Sequence, residues 1–79
     1  MKTDVISIDP EVLSGTPVFK DTRVPIQVLF DHLDNGLTIE DFLKSFPTVS
    51  RDQVLQVLNI AETILSSEHI SEWYESVAR

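Results

Sequence analysis

The spacing of apolar residues changes twice along the chain, and the changes divide it into three stretches. In the first, residues 1–24, Val5-Ile6-Ser7-Ile8 alternates in part and stops at Asp9-Pro10, where proline holds the preceding residue extended. Ser14-Gly15-Thr16-Pro17 is a turn signal. Val18-Phe19 and Arg23-Val24 flank Lys20-Asp21-Thr22, which predicts a short hairpin with Asp21 in a left-handed turn position. So small a two-stranded element is marginal alone and has to pack on the rest of the chain.

From Pro25 the period becomes helical. Proline suits a first helical turn, Ile26, Leu29, Phe30 and Leu33 share one face, and Asn35-Gly36 closes the helix. Thr38 and Asp41 come close to a capping box, with aspartate in place of the usual Glu or Gln, and open a brief second helix that turns Ile39, Phe42 and Leu43 inward. Phe46-Pro47 ends it. Ser50 with Gln53 is a full capping box and starts a third helix that runs to about Leu65.

These signals predict one mainly α domain over 1–79. An extended or hairpin arm (1–24) precedes a three-helix, homeodomain-like helix-turn-helix core (25–65), and a C-terminal helical segment (66–79) follows. On the third helix, Val54, Leu55, Val57, Leu58, Ile60, Ala61, Ile64 and Leu65 cover an arc of roughly 220°, against the ~100° stripe of an ordinary surface helix. Part of that arc is expected to meet a second chain, with Val57, Ile60 and Ile64 as the dimer contacts. Beyond Ser66-Ser67, residues Ile70, Trp73, Tyr74 and Val77 form another stripe at helical spacing. Either the chain breaks at the serine pair and folds back, or this stripe waits for a partner.

Composition narrows the function. Thirteen acids against six bases give a net charge of −7, the opposite of the basic footprint of a free-standing nucleic-acid binder, so basic proteins become the expected partners. With no cysteine, disulfides and thiolate sites are excluded, and a reducing compartment is consistent with that. The start of the chain lacks the apolar stretch of a secretory signal and no run is long enough to span a membrane, so a cytoplasmic protein without membrane contact is expected.

Catalysis needs paired groups held in a pocket, and none is legible, so the chain reads as a non-enzyme without cofactor or metal. His32, beside Asp31 and near Asp34, has no second histidine or cysteine at ligand spacing and is expected on a solvated polar helix face. The same holds for His69 between Glu68 and Glu72. Trp73 and Tyr74 are placed to stack on bases, but Glu68, Glu72 and Glu75 would repel a phosphate backbone, and a protein interface suits them better. DNA reading from the third helix would fall to Arg51, Gln53 and Gln56, where one arginine beside Asp52 supplies little phosphate attraction.

The string from Ile8 to Ile64 resembles the bacterial family called domain of unknown function number four-three-three. The resemblance is carried by Asp9-Pro10, Gly15-Thr16-Pro17-Val18, Lys20-Asp21-Thr22-Arg23-Val24-Pro25, Gly36-Leu37-Thr38, Glu40-Asp41 and Phe46-Pro47 before Ser50. Departures are Ser14-Gly15 where the family has paired glycines, Asp21 where it has glycine, and Phe46 where it favours tyrosine.

The resemblance implies an antitoxin of the VapB type that dimerises and neutralises a PIN-like ribonuclease encoded beside it, with operator DNA bound mainly as part of the complex. Lys20, Arg23, Trp73 and Tyr74 are then the toxin-binding candidates, and Arg23 is well shaped for the carboxylates that hold magnesium in such a nuclease. A local role competes, in which Arg23 pairs with Asp21 or Asp31. The alternatives to the antitoxin are a helix-turn-helix regulator that represses its own operon, and a structural dimerisation module.

Overall fold

The computed structural model describes residues 4–77, so the outermost residues of the expected arm and C-terminal segment, 1–3 and 78–79, lie outside the described residues. The chain is mainly helical with a small antiparallel sheet at its N-terminal side. The order is β1 (Ile6–Ser7), β2 (Val18–Phe19), α1 (Ile26–Asp34), α2 (Ile39–Ser45), α3 (Arg51–Leu65) and α4 (Ile70–Val77).

β2 lies between two extended stretches. On one side Ile6 pairs with Phe19 and Ser7 with Val18; on the other, Phe19 N–H donates to the Val24 carbonyl (3.0 Å) and Val18 bridges to Pro25. The hairpin expectation is therefore corrected. Residues 19–24 close on each other, but the strand partner of Val18-Phe19 is Ile6-Ser7, and Arg23-Val24 forms no strand.

Thr22 is the reason for this pairing. Its hydroxyl donates to the Phe19 carbonyl (2.7 Å) and accepts from Val24 N–H (3.1 Å), which shuts the loop tightly, and Pro25, lacking an N–H, cannot prolong a ladder. Asp21 takes the left-handed conformation expected of it (φ 62°). The turn at Leu13–Gly15 is left-handed as well, and Thr16 clamps it by donating from both N–H and Oγ1 to the Leu13 carbonyl (3.2 and 2.8 Å).

Each helix in the middle of the chain carries its own start and stop. α1 ends at Gly36 (φ 78°), where Gly36 N–H reaches the Leu33 carbonyl and Leu37 N–H the His32 carbonyl, both at 3.0 Å, the paired closure that a left-handed glycine permits. α2 opens on a reciprocal box despite the short aspartate: Asp41 N–H donates to Thr38 Oγ1 (3.1 Å) and Thr38 N–H to Asp41 Oδ2 (2.9 Å). α3 opens on the Ser50–Gln53 box, with Gln53 N–H on Ser50 Oγ (3.1 Å) and Ser50 N–H on Gln53 Oε1 (3.0 Å).

These elements enclose one core. Phe19, Leu29, Phe42 and Val54 have no exposed surface, and Val5, Val18, Val49 and Val57 complete the buried set. Phe42 is its centre, with ring centroids 5.8 Å from Phe19 and 5.1 Å from Phe46. His32 joins the same cluster edge-on, 5.5 Å from Phe42 and 5.6 Å from Phe46, while its Nδ1 donates to the Val28 carbonyl (3.0 Å). The expectation of a solvated polar face for His32 is corrected accordingly: the imidazole is half-buried and works as an aromatic plate over α2.

The first three turns of α3 enter this core. Val54 and Val57 are buried and Leu58, Ile60 and Ala61 half-buried. Ile64 and Leu65, which fall on the same side of the helix as Val57 and Ala61, are 58% and 60% exposed. The helix breaks at Ser66-Ser67, and α4 leaves Trp73, Tyr74 and Val77 exposed.

Candidate functional site

Three sets of residues bear on function, and the structure keeps them apart. The first is the loop between β2 and α1. Lys20 and Arg23 are exposed on it, Lys20 Nζ lies 3.9 Å from Asp4, and Arg23 has no ion pair or hydrogen bond among the described residues. The local pairing of Arg23 with Asp21 or Asp31 is thus not formed; Asp31 accepts instead from Gln27 Nε2 (3.1 Å).

The second set is the start of α3, where the three candidates for DNA contact are already engaged. Arg51 forms an ion pair with Glu40 of α2. Gln53 uses its Oε1 in the capping box and its Nε2 on the Lys20 carbonyl (3.1 Å), which ties α3 to the β2–α1 loop. Gln56 donates to Asp52 Oδ2 (2.5 Å), and its own Oε1 is buried without a partner. No side-chain amide of this set is left open toward solvent in the manner base reading requires.

The third set is the apolar end of the molecule. Ile64, Leu65, Trp73, Tyr74 and Val77 are each more than half exposed, and Ile64, Leu65, Ile70 and Trp73 line an open cleft of about 270 Å³ whose other neighbours are Ser67 and His69. Along α3, Gln53 and Ile64 stand about 16 Å apart at 1.5 Å per residue, so Lys20 and Arg23 do not share a patch with Trp73 and Tyr74. The four toxin-binding candidates belong to two separate surfaces.

Of the three dimer candidates, Ile64 is exposed and Ile60 half-buried against the core, whereas Val57 is a core residue, 3% exposed. Val57 is corrected to a structural role, because the inward side of an amphipathic helix is filled first by the chain's own α1 and α2. Leu65, at the end of the same arc, is exposed.

A second cleft, about 360 Å³, lies beside β1 and α1 and is lined by Ile6, Pro17, Ile26 and Phe30 with Thr16 and Gln27. Both of its polar side chains are bonded within the chain, Thr16 to Leu13 and Gln27 to Asp31. Neither cleft gathers the convergent polar groups of a ligand site. Among the described residues Asp41 has a clear shift: its carboxyl is held below its ordinary value of 3.8, first by the Thr38 N–H and next by the Thr38 hydroxyl. That shift belongs to a helix cap. Among the described residues no group of three His, Asp or Glu stands together to hold a metal, and no helix is long and apolar enough to cross a membrane.

Two features were missed in the sequence. Thr22 as loop clamp has a weak signal, a hydroxyl following a left-handed aspartate; the tie between Gln53 and Lys20 has none, since 33 residues separate them.

The arrangement is a capped helical core with a small sheet on one side and a bare apolar end on the other. Residues 6–61 match the family described as protein of unknown function (DUF433), and the chain belongs to that family. It is also similar to "Uncharacterized protein y4eO" of Sinorhizobium fredii, with 28% identity over 51 residues, which cover 65% of this chain and 23% of that protein. The chain thus spans about a quarter of that relative's length. No solved structure matches.

Proposed function

We propose that the chain is a protein-binding module of the antitoxin type, which neutralises a PIN-like ribonuclease encoded nearby and acts as a dimer in the cytoplasm. The observation that carries this reading is the uncovered apolar end, where five large side chains from Ile64 to Val77 are more than half exposed. Exposed apolar surface concentrated in one region of a small domain marks association with another macromolecule. The net charge of −7 supports a basic partner, because a nuclease must attract RNA phosphates and an acidic protein is steered to the same field. Arg23, exposed and without an ion pair among the described residues, is the cation best disposed to meet the nuclease's carboxylates.

In this reading α1, α2 and α3 form a homeodomain-like scaffold, with the turn at 46–50 between the last two helices. The scaffold serves protein contacts. The engagement of Arg51 and Gln53 inside the chain weighs against its reading DNA alone, so operator contact belongs to the assembled complex. Co-expression with the neighbouring nuclease followed by size-exclusion chromatography tests the proposal: co-elution is expected, weakened by Arg23→Glu, and separate elution of the wild-type proteins would refute it.

A further inference from the structure

We infer that the apolar end formed by Ile64, Leu65 and α4 is covered by the same surface of a second copy of this chain, in a two-fold contact. The inference rests on the reading of this end as an association surface and adds which molecule occupies it. It also moves the contact from the middle of α3 to the helix end and α4.

Charge placement selects the occupant. On α4, Ile70, Trp73, Tyr74 and Val77 fall within roughly 100° of helix surface, Ser71 and Ser76 flank them, and Glu72 and Glu75 point to the far side. A basic partner would be recognised by acids bordering the apolar stripe, yet its border is made of small neutral serines. For a chain of net charge −7, self-contact is unfavourable wherever carboxylates meet carboxylates; the flanks of the α4 stripe avoid that clash, and Glu62 is the acid that borders the α3 part of the surface. In a closed two-fold contact each patch meets itself, so a stripe with neutral flanks, as on α4, fits a second copy better than a basic protein.

Size agrees. At about 100 Å² for each large side chain, the five exposed residues offer on the order of 500 Å² per chain, and a pair removes on the order of 1,000 Å² from water, the lower bound for a stable interface. The face also continues the inward side of α3, since Ile64 lies about two turns beyond Val57 and Leu65 about one turn beyond Ala61. A second copy therefore extends the existing core instead of starting a new one. The loop carrying Lys20 and Arg23, at the opposite end of α3, stays open for the nuclease.

Light scattering on the full chain across a concentration series tests this. The expected mass is twice 8.9 kDa. Trp73→Glu should halve it with an unchanged helical circular-dichroism spectrum, whereas Leu55→Glu, an exposed position on another side of α3, should leave it doubled. A single-chain mass for the wild type, or a doubled mass for Trp73→Glu, overturns the inference. Chromatography of the same variants with the neighbouring nuclease separates the two levels. If the wild type is a single chain that binds the nuclease and Trp73→Glu does not, the second copy is wrong and the association surface stands. If the wild type is a single chain and Trp73→Glu changes neither mass nor nuclease binding, both fall.

Discussion

Gln53 makes three hydrogen bonds, two within the cap of α3 and one to the Lys20 carbonyl. Replacing it separates these roles. Gln53→Ala removes the reciprocal cap and the tie to the loop and should cost about 1–2 kcal/mol in urea unfolding, since each net hydrogen bond contributes roughly 0.5–1.5 kcal/mol. Gln53→Glu keeps an acceptor for Ser50 N–H but puts a carboxylate against the Lys20 carbonyl, so it should restore the cap and still free the amides of residues 20–24 to hydrogen exchange. Asp41 gives a pH dependence of known sign. Its folded carboxyl titrates below 3.8, so its stabilisation is complete above that value and fades as pH falls through the lowered folded value. Melts of the wild type and Asp41→Asn should therefore differ near neutrality and converge in acid. Both caps were legible from a three-residue spacing because a cap is a local hydrogen-bond requirement. The tie to Lys20 was not, because it depends on how two distant segments pack.

At the scale of elements, the middle of the chain was legible almost to the residue. Pro25, Gly36, Thr38, Phe46-Pro47 and Ser50 each impose a backbone requirement that no tertiary contact has to supply. Gly36→Ala tests one of these. Nothing lies within 4 Å of an added Cβ, so the expected loss of about 1 kcal/mol in thermal unfolding comes from the left-handed backbone and not from a clash. The strands were less legible: with two residues each, β1 and β2 carry no periodicity, and their pairing was decided by Thr22 closing the loop that would otherwise have been the hairpin. Where elements meet, Phe42 touches both Phe19 and Phe46. Phe42→Ala should cost about 3–5 kcal/mol, a large share of the roughly 4–12 kcal/mol expected for a chain of this length, and should appear in calorimetry as a broad, low transition.

For the whole molecule, the sequence indicated that α3 carries more apolar surface than one small core needs, but not which part is left over. A helical projection gives direction around an axis and no information about where neighbouring helices stop, so Val57 and Ile64 looked equivalent although one is core and the other bare. The candidate site was legible to the same extent: its residue types could be named, while the separation of Lys20 and Arg23 from Trp73 and Tyr74 by most of a helix could not. That one-ended anchoring of α3 has a kinetic consequence. Protection of backbone amides should fall along the helix, from Val54–Leu58, which open only with global unfolding, to Thr63–Leu65 and α4, which fray locally. Exchange monitored by mass spectrometry should then slow with rising protein concentration only in the frayed half, whereas uniform protection along α3 would contradict the anchoring. The same end would be the first point of attack for a protease, so the lifetime of the free chain in a cell would be set by how quickly that end finds its cover.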